Sequence, residues 1–191
     1  MTEAAVASCR FVPATEAPWA DLETLFGARG ACGGCWCMTW RRPRAAFEAD
    51  KGEGNRAALQ SLWAEQAPLG VLAYQGDQAV GWCAVAPREA YDYFRRSRVL
   101  KPAPGEAGVW SITCLFIAKP WRRQGLSGRL VAAAADWACS QGARVVEGYP
   151  VQPHQAQAAP VFLWTGTPSA FESAGFTAQP GREGMRPVYR R

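Results

Sequence analysis

The stretch VWSITCLFIAKPWRRQGLSGRLVAAAADWACSQGARVVEGY, residues 109–149, decides the fold. Its first nine residues are rich in β-branched and aromatic types and hold no breaker, so they read as a buried central strand. An alanine-rich helix follows to Gln141. Leu126, Leu130, Ala134, Trp137 and Ala138 recur at three and four residues and give it one apolar face. Gly142 is a well-placed stop. Residues 143–149 read as another strand, which Pro150 ends. Strand, helix and strand at this spacing form a βαβ unit with parallel strands and a right-handed connection.

Upstream, residues 70–75 and 78–86 are apolar runs separated by Gly76-Asp77, a hairpin signal. Residues 9–13 read as a short strand. Thr15 then offers an N-cap to a helix whose inward face is Trp19, Leu22 and Phe26 and which Gly27 stops. Residues 28–54, rich in Gly, Arg and Cys, read as loop with at most a short helix. Asn55 is placed to cap a helix through Gln66, with Ala58, Leu59, Leu62 and Trp63 inward. Residues 89–99 read as helical and 101–108 as a linker. Downstream, residues 150–166 carry Pro150, Pro153 and Pro160, an excursion long enough for a functional loop. Thr167 can cap a short helix, and the tail around Val188-Tyr189 reads as an edge strand. The expectation is one α/β domain over residues 1–191, with a core about residues 109–176.

Composition bounds the function. The 191 residues are 49% hydrophobic and 19% charged, which suits a buried core and excludes a disordered chain. No apolar run approaches the ~18 residues of a membrane span. The first residues show no basic segment followed by an apolar one, so a cytoplasmic protein is expected, with no membrane partner. The net charge of +5 comes from scattered arginines. That pattern favours a small polyanion over nucleic acid, and no nucleic-acid partner is expected. Seven cysteines without an export signal argue against a disulfide framework.

Arg122-Arg123-Gln124-Gly125-Leu126-Ser127-Gly128 stands where the buried strand hands over to the helix. A helix start carries unsatisfied N–H groups and the positive end of the dipole, and glycines let backbone approach a phosphate. Spacing alone leaves two readings, an anion cradle or a solvated helix start. Residues 109–131 resemble the acetyl-CoA-binding motif of the GNAT superfamily of N-acetyltransferases, Arg/Gln-x-x-Gly-x-Gly/Ala after the fourth strand. Arg122 and Gly125 match it, and Ser127 replaces the final small residue. CRFVPATEAPWADLETLF, residues 70–87 and SAFESAGF are similar to further family elements in the right order, so the resemblance spans roughly the whole chain.

The resemblance implies a twisted mixed β-sheet with splayed central strands flanked by helices, holding acetyl-CoA as cosubstrate. Carried across by position, Leu115, Phe116 and Ile117 would offer backbone to the pantetheine arm, and residues Arg122, Arg123, Gln124, Gly125, Leu126, Ser127 and Gly128 would hold the pyrophosphate. The implied reaction is direct attack of a primary amine, on a small molecule or a peptide, on the thioester. An alkylamine of pKa near ~10.4 then needs a base. Glu147, an ionisable group in an apolar strand, is the candidate, or else a strand-end carboxylate paired with an arginine. Where the family often has a tyrosine that protonates the leaving thiolate, this chain has Phe171. Tyr149 is the substitute candidate, or a buried core tyrosine.

Cys32-x2-Cys35-x-Cys37 supplies three of the four ligands a zinc site needs, so a zinc-stabilised interaction domain is one alternative and no metal is expected otherwise. Some GNAT relatives carry a similar GCWCM-type stretch in the region that walls the acceptor pocket. By that resemblance Trp36, Met38 and Trp40 would line it, unless they are simply core. A catalytically silent acyl-CoA-binding module is the other alternative. His154 reads as a surface loop residue and Cys114 as a small buried apolar one. The nine tryptophans suit a core, a roomy cavity or a homodimer contact equally.

Overall fold

In chain order the elements are β1 (Arg10–Pro13), α1 (Trp19–Phe26), α2 (Arg44–Ala49), α3 (Glu53–Ala64), β2 (Gly70–Gln75), β3 (Gln78–Pro87), α4 (Asp92–Arg96), β4 (Val109–Ile117), α5 (Leu126–Ser140), β5 (Val145–Gly148), α6 (Pro168–Glu172), β6 (Thr177–Ala178) and β7 (Tyr189–Arg190). The computed structural model describes residues 8–100, 102, 105–152, 160–180 and 186–191, and the expectation for His154 lies outside them. The strands form one seven-stranded mixed sheet in the order β1-β2-β3-β4-β5-β7-β6. Among the described residues only β4 and β5 pair in parallel, as the βαβ reading requires.

Helices cover both faces, which is why the central strands read as near-continuous apolar runs. On one face Ala73, Val85, Ile112 and Val146 meet Leu126, Leu130 and Ala134 of α5 and Phe171 of α6. On the other, Leu72, Trp82 and Ala84 pack against Leu22 and Phe26 of α1 and Leu59 and Trp63 of α3. No helix of the described residues is long and apolar enough to cross a membrane.

Three expectations change. The tail strand β7 is not an edge: it lies between β5 and β6, because Arg190 brings its guanidinium to the buried Glu147 while Val146 and Arg191 exchange backbone hydrogen bonds of 2.8 and 3.0 Å. Helix α1 is preceded by Pro18, with Thr15 in a separate 3-10 turn, Ala14–Glu16. Helix α3 starts after Gly52, which leaves Asn55 inside it and not at its cap.

Fully buried, Asn55 holds the cysteine-rich loop to α3 instead. Its Nδ2 donates to the carbonyls of Phe47 at 3.1 Å and Gly34 at 3.3 Å, and its Oδ1 accepts from Arg42 at 2.9 Å. Buried acceptors stripped of a donor carry a desolvation cost. Asn55→Ala should therefore lower unfolding stability by about 2 kcal/mol in urea titration, whereas a change within ±0.5 kcal/mol would mean that water replaces the amide.

Candidate active site

Backbone pairing between β4 and β5 covers only four positions, from Val109↔Val145 to Ile112↔Gly148. One residue further, β4 carries a bulge at Thr113: Val85 pairs with Ile112, but Ala84 pairs with Cys114. Beyond Ile112 no strand among the described residues pairs with β4 on its β5 side, and a gap opens there.

A cavity of about 1210 Å³ fills that gap. Residues 113–117 form its floor, and Arg122, Arg123 and Ser127 stand at one end. Leu163, Trp164, Gly166 and Thr167, where the proline-rich excursion returns, make one wall, and the cysteine-rich loop makes the other. The end at α5 is electropositive by construction. Gly125 takes the left-handed conformation (φ 77°) that starts the helix, and no side chain caps its first turn. Arg122 Nε donates to the Ile117 carbonyl at 2.7 Å, fastening the turn to the end of β4, while Arg123 is exposed at the cavity.

The other members of the expected cradle do not line the cavity. Gln124 donates to the Pro120 carbonyl at 2.7 Å, and Leu126 is buried in the core. Gly128 lacks a Cβ because α6 is there: an added Cβ would lie 2.1 Å from Ser173 Oγ, so its smallness serves helix packing and not approach to a phosphate. Phe116 and Ile117 line the cavity, as does Leu115, but the Leu115 N–H already donates to the Trp164 carbonyl at 2.6 Å. The return segment thus takes the position expected for a pantetheine arm at that residue.

Glu147 and Tyr149 are absent from the cavity lining. The Glu147 carboxylate is buried and accepts from Arg190 Nε at 2.9 Å and Nη2 at 2.6 Å, from Arg88 at 3.4 Å, and from the Tyr149 hydroxyl at 2.6 Å. Both oxygens are therefore committed to an ion-pair network that also includes Glu106. Tyr149 is 1% exposed, and burial together with the adjacent Glu147 pushes its hydroxyl well above the usual value. Both belong to the polar core, where their side chains meet Arg88, Ser111 and Arg190.

In the cysteine-rich loop, consecutive left-handed residues at Trp36 (φ 44°) and Cys37 (φ 51°) set the alternation. Cys35, Cys37 and Thr39 face the cavity, whereas Trp36 and Met38 are buried against α1 and α3. Trp36 stacks on Trp19 with centroids 5.9 Å apart. Of the three residues expected at an acceptor pocket, Trp40 alone lines this cavity. It stacks on Tyr93 at 4.4 Å and meets Trp164 edge-on at 5.7 Å. Trp164, Phe47 and Lys51 also line the cavity and were missed; only the aromatic run Phe162-Leu163-Trp164 after the prolines hinted at the first. Burial raises the Cys35 thiol to about 11. Among the described residues no three His, Cys, Asp or Glu side chains converge as metal ligands.

The sequence profile of the acetyltransferase (GNAT) family matches residues 36–163, well over half the chain. The chain belongs to the GNAT acetyltransferase family. No curated protein sequence matches it. Among solved structures, a protein of Desulfovibrio desulfuricans assigned to the GNAT acetyltransferases is similar over 96% of this chain and 98% of its own, with a TM-score of 0.53 and 16% identity. A ribosomal-protein-alanine N-acetyltransferase from Brucella melitensis is similar over 95% and 96%, with a TM-score of 0.51 and 15% identity. The PaiA N-acetyltransferase of Thermoplasma acidophilum, solved in complex with coenzyme A, is similar over 96% and 98%, with a TM-score of 0.51 and 13% identity. These likenesses establish the GNAT fold, a mixed α/β sheet flanked by helices.

Two outcomes follow for the ion-pair network of this GNAT domain. Glu147→Gln should cost about 3 kcal/mol in chemical denaturation, because Arg190 and Arg88 lose a buried countercharge, and should leave the pH profile of any turnover unmoved. The hydrogen bond from Arg88, the largest influence, holds the Glu106 carboxyl below the ordinary range. Its stabilising share is then present above the unfolded pKa of about 4.3 and is lost as pH falls through the lowered folded value. Urea midpoints should fall more steeply below that pH in the wild type than in Glu106→Gln.

Proposed function

We propose that this GNAT-family chain is an acetyl-CoA-dependent N-acetyltransferase, of a subgroup marked by the segment Gly34-Cys35-Trp36-Cys37-Met38, that acetylates a primary amine by direct attack on the thioester. One observation carries the reading: an uncapped helix start with two arginines closes one end of a cavity that runs along the half of β4 lacking a β5 partner. That combination suits a ligand with a diphosphate at one end and an extended amide-bearing arm at the other. The Thermoplasma structure, which holds coenzyme A, supports the same ligand class for this fold.

In this reading the first-turn N–H groups of α5 with Arg122 and Arg123 bind the pyrophosphate, and the backbone of Phe116 and Ile117 serves the arm. Acetyl-CoA supplies an acyl carbon with a thiolate leaving group. A thiol pKa near ~8.5 makes that group a fair leaver without a dedicated acid. Trp40, Trp164 and Phe47 surround the acceptor with aromatic surface, which holds an apolar or aromatic body and sheds water from the reacting centre.

A second reading, a silent acyl-CoA-binding module, is favoured by the withdrawal of Glu147 and Tyr149 into the core and by Phe171 in the usual tyrosine position. A thiol-release screen with acetyl-CoA across an amine library separates the two, since the module releases no thiol above the amine-free rate. For the shared cofactor site, Ser127→Trp should abolish coenzyme A binding and Arg123→Glu should weaken it about tenfold, or ~1.4 kcal/mol, in calorimetric titration. Absence of any binding heat and of thermal protection with the folded wild type would defeat both readings.

A further inference from the structure

Two thiols from distant parts of the chain meet at the cavity floor. Cys37 of the loop and Cys114 of β4 are separated by 77 positions in sequence, yet their Sγ atoms lie 3.1 Å apart. Both line the cavity, where Cys37 is 6% and Cys114 8% exposed. Trp82 Nε1 donates to Cys37 Sγ at 3.1 Å, and Cys37 in turn donates its S–H to Cys114. The run of donors ends on Cys114, the sulfur free to act. Of the neighbouring cysteines, Cys35 also lines the cavity but directs its thiol at the Gly30 carbonyl, 3.5 Å away, and Cys83 packs on the α5 face of the sheet.

We propose that Cys37 and Cys114 are an oxidisable dithiol, a modification site that accepts a low-molecular-weight disulfide through the cavity and closes to an intramolecular cystine. Cys114 gives up its proton and attacks one sulfur of the disulfide RSSR, forming Cys114–S–S–R and expelling RS⁻, which takes that proton. Cys37 then attacks Cys114 Sγ, and its proton leaves with the second RS⁻. Two protein thiols are oxidised and one disulfide is reduced to two RSH. The order follows from the geometry and from burial, which keeps the Cys37 proton in place until the mixed disulfide forms. An S–S bond of about 2.05 Å asks the sulfurs to close by roughly 1 Å. The cross-link ties the cysteine-rich loop to β4 across the cavity floor.

The test incubates the reduced full-length chain with 2-hydroxyethyl disulfide, quenches with acid, alkylates remaining thiols and maps peptides by fragmentation spectra. The expected product is a Cys37–Cys114 cross-link, lighter than the two reduced peptides by two hydrogens, while the exposed Cys32 and Cys139 carry mixed disulfides. Recovery of Cys37 and Cys114 as alkylated thiols after complete reaction of Cys139 overturns the proposal. So does pairing of either with Cys35, or a separate mixed disulfide on each. In Cys37→Ser, Cys114 should persist as a mixed disulfide, and in Cys114→Ser, Cys37 should stay a thiol; the opposite pattern overturns the order of attack. The wild-type map decides the pairing even where a variant fails to fold.

Discussion

Backbone polar groups in a protein interior must find partners, and on its β5 side β4 stops finding them in a strand at Ile112. The rest of the architecture follows from that constraint. The bulge at Thr113 turns the strand as its pairing ends, the Trp164 carbonyl meets the Leu115 N–H, and Arg122 meets the Ile117 carbonyl. What is left is a partly supplied edge inside a cavity, the kind of surface an extended amide-bearing chain completes. The short β5 is therefore as important to the site as the long β4, because one more paired residue would fill part of the gap.

The central elements were legible because burial on both faces writes itself into the sequence. Val109–Ile117 is apolar without interruption, α5 repeats its apolar residues at three and four, and Gly76-Asp77 marks the hairpin. Elements of two residues carry no period, so the insertion of β7 beside β5 could not be read; only the unlike charges of Glu147 and Arg190 recorded it. Alternation correctly put Glu147 and Tyr149 on one side of β5, but alternation does not say which side meets the cavity. Similarly, the left-handed turn at Trp36 and Cys37 reversed which aromatic residues face inward, and non-glycine residues give little warning of such a turn. The arginines ahead of α5 drew notice through the family resemblance, since spacing alone left a solvated helix start open. Gly128, five residues beyond Arg123, answers to α6.

Two kinds of interaction hold the cavity walls. On one side aromatic rings do so: Trp40 contacts Tyr93, Phe94, Tyr149 and Trp164, a cluster whose geometry depends on area and ring orientation more than on charge. Behind β5 the Arg88–Glu106–Arg190–Glu147 network does so, joining the chain before β4 to β5 and β7. Buried ion pairs contribute little net stability compared with apolar packing, but misaligned alternatives leave a bare charge. In this sheet the network fixes which strand lies beside β5, while the rings fix the shape of the space in front of it.

The position of β7 also bears on how the chain acquires its fold during translation. Arg190 follows Glu147 by 43 residues, so a nascent chain exposes the carboxylate well before its main countercharge leaves the ribosome. Until then the edge of β5 that later receives β7 is open, and the half-made sheet presents a free ladder to other polypeptides. Vectorial synthesis thus gives this fold an interval of vulnerability that ends when β7 slides into place beside β5.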